Sequence, residues 1–267
     1  MSLRPIHREE TATIKRVQDG RNTRFALGEP THLPVHLTPG QRLAAHALLA
    51  NRDFVSVLVG DAGTGKTTVL TAIEGAHLAA GGLHFLPLAP TTRAREALIH
   101  AGFAQADTVQ RFLVSETLQA EAANRVLLVD EAGLLSTEQL DRLTRIAQER
   151  RSRLLLVGDT KQHYSVQRGD AMRHVIRHSK TPVVRLSEVL RQRDERDRHF
   201  SRMLAAGEVM DAFLYAGRQG MIRELGDDET LFRQAAERYA DNIARGVETL
   251  VVIPFWEEID RFSVYAR

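Results

Sequence analysis

The chain has 267 residues, 43% hydrophobic and 26% charged, a balance that argues against disorder and suits one large core or two small ones. It has no cysteine, which excludes disulfides and thiolate metal sites and fits a reducing cytoplasm; no apolar run approaches bilayer length and no signal-peptide apolar region opens the chain, so a cytoplasmic location with no membrane partner is expected. The net charge is only +2 although the pI is about 9.1, so a nucleic-acid partner would be held by local patches and not by a global field.

In chain order, residues 1–36 read as an appendage, with a short amphipathic helix over 9–17 and the turn cluster Asp19-Gly20-Arg21-Asn22. Thr38 is placed as an N-cap with Pro39 at the first helical position, opening a helix over 41–50. The apolar run 54–59 is a strand that feeds the segment 60–67, and a helix over 67–80 follows, stopped by Gly81-Gly82. A strand over 83–89 leads through Pro90-Thr91-Thr92 into a helix that ends at Ala101, before Gly102. An amphipathic helix over 109–123, a strand over 125–129, a helix over 137–150 and a strand over 153–157 continue the alternation. The strand cores Val-Leu-Leu-Val and Leu-Leu-Leu-Val are continuously apolar, as parallel strands covered on both faces must be. Residues 37–187 are therefore expected to form an open parallel α/β sheet with helices on both faces. Beyond them, 191–217 is charged and helical, 229–245 is another helix and 248–253 one more strand.

Residues 60–67, Gly-Asp-Ala-Gly-Thr-Gly-Lys-Thr, sit between a strand and a helix and fit a phosphate-binding loop. Gly60, Ala62, Gly63, Thr64 and Gly65 let backbone N–H groups wrap round an anion, Lys66 reaches the β- and γ-phosphates, and the Thr67 hydroxyl takes one position on Mg²⁺. Thr68 is counted with them as a nucleotide contact. The bland alternative is a glycine-rich turn. ATP and Mg²⁺ are the expected cofactors.

Asp130 and Glu131 follow the apolar strand 125–129, at the end of a strand where open α/β sheets place their ligands. Asp130 is expected to hold Mg²⁺, and Glu131 to orient or deprotonate the attacking water. Strand 153–157 ends likewise in Gly158-Asp159-Thr160-Lys161-Gln162, and the Gln162 amide is assigned to sensing the γ-phosphate.

Four segments now stand in order: the loop 60–67, Leu-Ala-Pro-Thr-Thr-Arg-Ala at 88–94, Val-Asp-Glu-Ala at 129–132 and Val-Gly-Asp-Thr-Lys-Gln at 157–162. Together they resemble superfamily 1 DNA helicases of the exonuclease V alpha-subunit type. Gln-His-x-x-Val-x-x-Gly-Asp at 162–170 is similar to the helicase portion of bacterial conjugative relaxases. The likeness covers residues 37–195 well and the remainder weakly. It implies a phosphate-loop NTPase of RecA-like fold acting as an ATP-driven translocase on single-stranded DNA. It also implies that Gln41 contacts adenine, its amide suited to an N6 donor and an N7 acceptor. Thr91 and Arg93 match the segment that touches the single-stranded DNA backbone, Thr108 resembles a second contact, and Arg191 resembles the family's γ-phosphate arginine. Lys66, Glu131, Gln162 and Arg191 make up the expected catalytic set.

The same resemblance implies two RecA-like domains with ATP between them. Residues 188–267 are expected to be a helical region and the start of a truncated second domain, so the chain reads as a fragment of a longer polypeptide that serves with conjugation or repair proteins, the alternative being a degenerate relative, and is expected to hydrolyse ATP slowly when alone. No relaxase nuclease is expected: His174 and His178 lack the intervening Glu of a metal-binding H-E-x-x-H helix and read as exposed histidines on a basic helix. Tyr164 is a base-stacking candidate. The competing functions are a nucleotide-dependent DNA- or protein-binding module without motor activity, and a small-molecule kinase, which the Gln162 strand end and Pro90-Thr91-Thr92 fit poorly.

Overall fold

A computed structural model describes residues 4–61, 63–159, 170–186 and 194–266. The chain divides into two compact units, Met1–Arg198 and His199–Arg267.

In the first unit the strands β1 (Val55–Gly60), β2 (Leu86–Ala89), β3 (Asp107–Thr108), β4 (Val126–Val129), β5 (Arg153–Gly158) and β6 (Val183–Leu186) form one sheet in the order β3-β2-β4-β5-β1-β6. Every pairing is parallel. Alternate residues divide between two buried clusters: Val55, Val57, Val59, Leu127, Val129, Leu154 and Leu156 face one way, and Leu58, Val126, Leu128, Leu155 and Val157 the other. That division explains the continuous apolar runs, because both faces of a crossover-connected sheet are roofed by helices.

One face is covered by α5 (Val109–Val114), α7 (Thr137–Glu149) and α8 (Ala171–His178), through Phe112, Leu140, Leu143, Met172 and Val175. The other is covered by α2 (Pro39–Ala50), α3 (Lys66–Ala79) and α4 (Thr92–His100), through Leu48, Leu49, Leu70, Ile73 and Leu98. Each fully buried Leu or Ile contributes roughly 1.5–3 kcal/mol. The N-terminal helix α1 (Arg4–Asp19) packs on α7 and α8, where the Arg16 guanidinium pairs with Asp141. After it the chain crosses the start of the sheet, with the Phe54 N–H donating to Gly20 O, and sends Leu27 and Leu33 into the core.

Local chemistry revises three expected elements. The helix over 109–123 is broken at Ser115, whose extended backbone ends α5 and whose hydroxyl accepts from Leu118 N–H to cap α6 (Glu116–Glu121). Where 191–217 is expected to be helical, the described residues form two helices, α9 (Glu195–Ala206) and α10 (Val209–Arg218), because Gly207 takes φ +82° and its N–H and that of Glu208 close back on Leu204 O and Met203 O. In the second unit, α11 (Asp228–Ala244) and α12 (Trp256–Tyr265) pack through Phe232, Ala236 and Phe262. The strand expected over 248–253 is absent. Its alternation is real, since Val251 and Ile253 lie on this small core while Leu250 and Val252 are exposed, but no strand is present among the described residues of this unit to pair with it.

Candidate functional site

Because all six strands run parallel, their C-terminal ends share one edge, and the candidate residues of the described chain gather along it. Gly60 ends β1. A Cβ there would lie 2.6 Å from Thr64 Oγ1 and 3.1 Å from Leu186 Cβ, so the loop closes this tightly only over a glycine. Gly63 and Gly65 both take φ +79°, a conformation that costs an L side chain about 1–2 kcal/mol. Thr64, 1% exposed, donates its hydroxyl hydrogen to Asp61 O at 2.9 Å. Lys66 opens α3 and lays its ammonium across the loop, donating to Gly60 O at 2.7 Å and to Asp61 O at 3.1 Å. A cation and the first N–H groups of a helix therefore meet at one point, which fits a polyphosphate. Thr67 is half-buried in the first turn of α3 and Thr68 is exposed beside it.

The carboxylates come from β4, one strand removed from β1 across β5 and so roughly 10 Å away. The Asp130 N–H donates to Leu88 O of β2 at 3.0 Å, and its Oδ1 accepts from Glu131 N–H at 2.9 Å. Glu131 sits at φ 51°, ψ 34°, a left-handed conformation for a non-glycine residue that turns the chain sharply into the 3₁₀ turn Ala132–Leu134. Burial raises the Asp130 carboxyl above its ordinary pKa, against the Glu131 N–H and the Lys66 charge. Burial and the neighbouring Asp130 raise Glu131 as well, opposed by Arg93 and Lys66. The structure thus brings Lys66, Asp130 and Glu131 into one electrostatic group. Two carboxylates and a hydroxyl suit Mg²⁺, which takes part of its shell from substrate phosphates. Among the described residues no group of three or more His, Asp or Glu could hold a metal by itself.

Thr91 and Thr108 stand at the ends of neighbouring strands, since β2 and β3 pair Leu88 with Asp107 and Ala89 with Thr108. Each is a helix N-cap: Thr91 Oγ1 accepts from Ala94 N–H at 3.1 Å and Thr108 Oγ1 from Arg111 N–H at 3.2 Å. Arg93, in the first turn of α4, is exposed. Gln41 is 5% exposed and forms a capping box with Thr38, its N–H donating to Thr38 Oγ1 at 3.2 Å and its Oε1 accepting from Thr38 N–H at 3.1 Å. Its acceptor is thus shared with the helix cap.

Ala62, Gln162, Tyr164 and Arg191 lie outside the described residues. His178 is exposed on α8 while His174 is half-buried 3.7 Å from Glu10, their rings 4.8 Å apart. The sequence reading overlooked β6, whose Leu186 walls the phosphate loop; the β-branched pair Val183-Val184 after Pro182 is the signal that marks it.

Residues 36–227 match a protein family described as an AAA domain. The chain belongs to this family. The AAA domain is 28% identical over 209 residues to the multifunctional conjugation protein TraI of Escherichia coli K12, covering 72% of this chain and 12% of that protein. It is 29% identical over 239 residues to the conjugal transfer protein TraA of Rhizobium radiobacter, covering 85% of this chain and 21% of that protein. The chain thus spans a small part of the length of the curated relatives it matches. Among solved structures, the Pif1 helicase from Candida albicans is similar over 64% of this chain and 44% of its own, with TM-score 0.49 and 21% identity. The expected kinship with bacterial conjugation proteins, and the expected parallel α/β sheet with helices on both faces, are borne out. Among the described residues no helix is long and apolar enough to cross a membrane.

Proposed function

We propose that this AAA domain binds ATP with Mg²⁺ in the loop 60–67 and uses its hydrolysis to move along single-stranded DNA, as one part of a longer conjugation protein. The observation that carries this reading is the shared sheet edge, which runs from Thr108 and Thr91 through Asp130 and Glu131 to Lys66.

In this reading Lys66 leaves its backbone carbonyl partners for the β- and γ-phosphates, and Thr67 and Asp130 hold the metal. When bound, Mg²⁺ supplies charge neutralisation on the phosphate oxygens. Glu131, its basicity raised by burial, takes the proton of the attacking water. Gln162 and Arg191 complete the set by sensing and neutralising the γ-phosphate. Thr91, Arg93 and Thr108 hold the DNA backbone without reading sequence, since a capping hydroxyl still has its own hydrogen to donate to a phosphate oxygen. Residues 37–187 form the nucleotide-binding body and 188–267 lead into a second RecA-like domain; that this chain covers only 12% and 21% of the conjugation proteins it matches is compatible with that reading.

The test is the ATPase rate of the purified chain, and of a longer polypeptide containing it, with and without single-stranded DNA. Stimulation by DNA is expected. A rate that DNA leaves unchanged removes the motor reading and leaves a nucleotide-dependent binding module.

A further inference from the structure

The opposite edge of the sheet, where the strands begin, collects cations that the nucleotide site does not use. Arg52 precedes β1, and Arg150 and Arg151 precede β5. The segment after α1 lays Arg21 and Arg24 beside them: the Arg24 N–H donates to Arg52 O at 2.9 Å and the Asn22 N–H to Asp53 Oδ1 at 2.9 Å. Arg21, Arg52, Arg150 and Arg151 are exposed and Arg24 is half-buried. Among the described residues none of the five is paired with a carboxylate. Asp53 is buried beneath them, and Glu149 is the nearest exposed acid in the sequence.

Behind this row Arg153 is buried, donating to Asp53 O, Phe25 O and Asn51 O. Burial, with Arg24 beside it, pushes its guanidinium pKa down to about 10, and Arg24 Nε is buried without a hydrogen-bond partner. Cations crowded in this way repel one another, and an anion placed among them relieves that repulsion. Phe25 follows Arg24 in this segment and is 94% exposed, with its carbonyl accepting from Arg153.

An open aromatic ring among guanidinium groups is matched by a polymer that offers phosphates and unpaired bases together. Guanidinium groups take phosphate oxygens in pairs, and a base stacks on the ring. A duplex hides its base faces, and an acidic peptide has none. We propose that Phe25 with Arg21, Arg24, Arg52, Arg150 and Arg151 forms a second surface for single-stranded nucleic acid, separate from the edge at Thr91 and Thr108.

The test measures fluorescence anisotropy of oligothymidylate, oligouridylate and a DNA duplex on the whole chain. The variants are Phe25→Ala, Arg52→Gln with Arg150→Gln, and Arg93→Gln; unchanged binding of a fluorescent ATP analogue by the first two shows that they fold. Phe25→Ala is expected to weaken oligothymidylate binding about tenfold and to leave duplex binding alone. The double arginine variant is expected to reduce the slope of log affinity against log salt by about 1.4, or about 0.7 for each phosphate left without its arginine. Equal losses for oligouridylate place the recognition in backbone and base face, and a loss for oligothymidylate alone makes the surface specific to DNA. Affinity and slope unchanged in both sets overturn the proposal, as does polyglutamate that binds as tightly as oligothymidylate. Loss confined to Arg93→Gln assigns all binding to the opposite edge and also overturns it. Loss confined to the first two variants supports this surface and removes the DNA role of Arg93. A wild type that binds no oligonucleotide removes both surfaces.

Discussion

The Asp130 N–H donates to the Leu88 carbonyl at 3.0 Å, so the end of β4 is tied to β2 at the point where the chain turns to present its two acids. That bond fixes the backbone beneath a carboxyl that burial has made reluctant to ionise. A carboxyl with a raised pKa stabilises the native state in its protonated form: the contribution is full below the unfolded pKa and is lost as pH rises through the folded one. Asp130→Asn should therefore make the protein more stable than wild type near neutral pH, and the difference should vanish below about pH 4, in the ordinary carboxylate range. Urea unfolding at the two pH values checks this. The same variant should lose Mg²⁺-dependent hydrolysis, a trade of function for stability.

Glu131 holds a left-handed backbone conformation beside Asp130 at the strand ends. Glu131→Gln should keep nucleotide binding within about twofold while slowing turnover by about 10² or more, the scale of a lost general base. Single-turnover hydrolysis set against analogue binding separates the two effects.

Lys66 is held by two loop carbonyls that cannot themselves bind an anion. Lys66→Ala should weaken binding of a fluorescent ATP analogue by roughly 10- to 100-fold, the scale of a charge-assisted contact of about 1.5–3 kcal/mol. Circular dichroism should show the fold retained.

Asp141 on α7 accepts from both Arg16 and Thr13 of α1, at a partly buried joint. Asp141→Ala leaves the guanidinium without its carboxylate and should cost about 1–3 kcal/mol in urea unfolding. Nucleotide affinity should not change, because the joint lies on a helical face and not at the strand ends. A changed affinity would show that α1 reaches the site.

The phosphate loop and the paired acids were legible in the residues because each is local: glycines at fixed spacing, a lysine opening a helix, two acids closing an apolar strand. Parallel pairing was legible too, since only strands buried on both faces read as unbroken runs such as Val-Leu-Leu-Val. The break at Ser115 and the missing strand at 248–253 were not. A serine can continue a helix or cap the next one, and alternating residues such as Leu250 to Ile253 become a strand only when a partner offers its hydrogen bonds.

Strand order was decided by the tertiary structure alone. Nothing in the spacing of Lys66, Asp130 and Thr108 says that β5 lies between β1 and β4 or that β2 and β3 close the sheet, yet that order sets which charges feel one another. The same is true of Phe25 at the opposite edge, whose carbonyl accepts from Arg153, 128 residues further along the chain. Sequence determined which groups the chain carries, through contacts a few residues long; packing of non-local strands determined which of them share an edge.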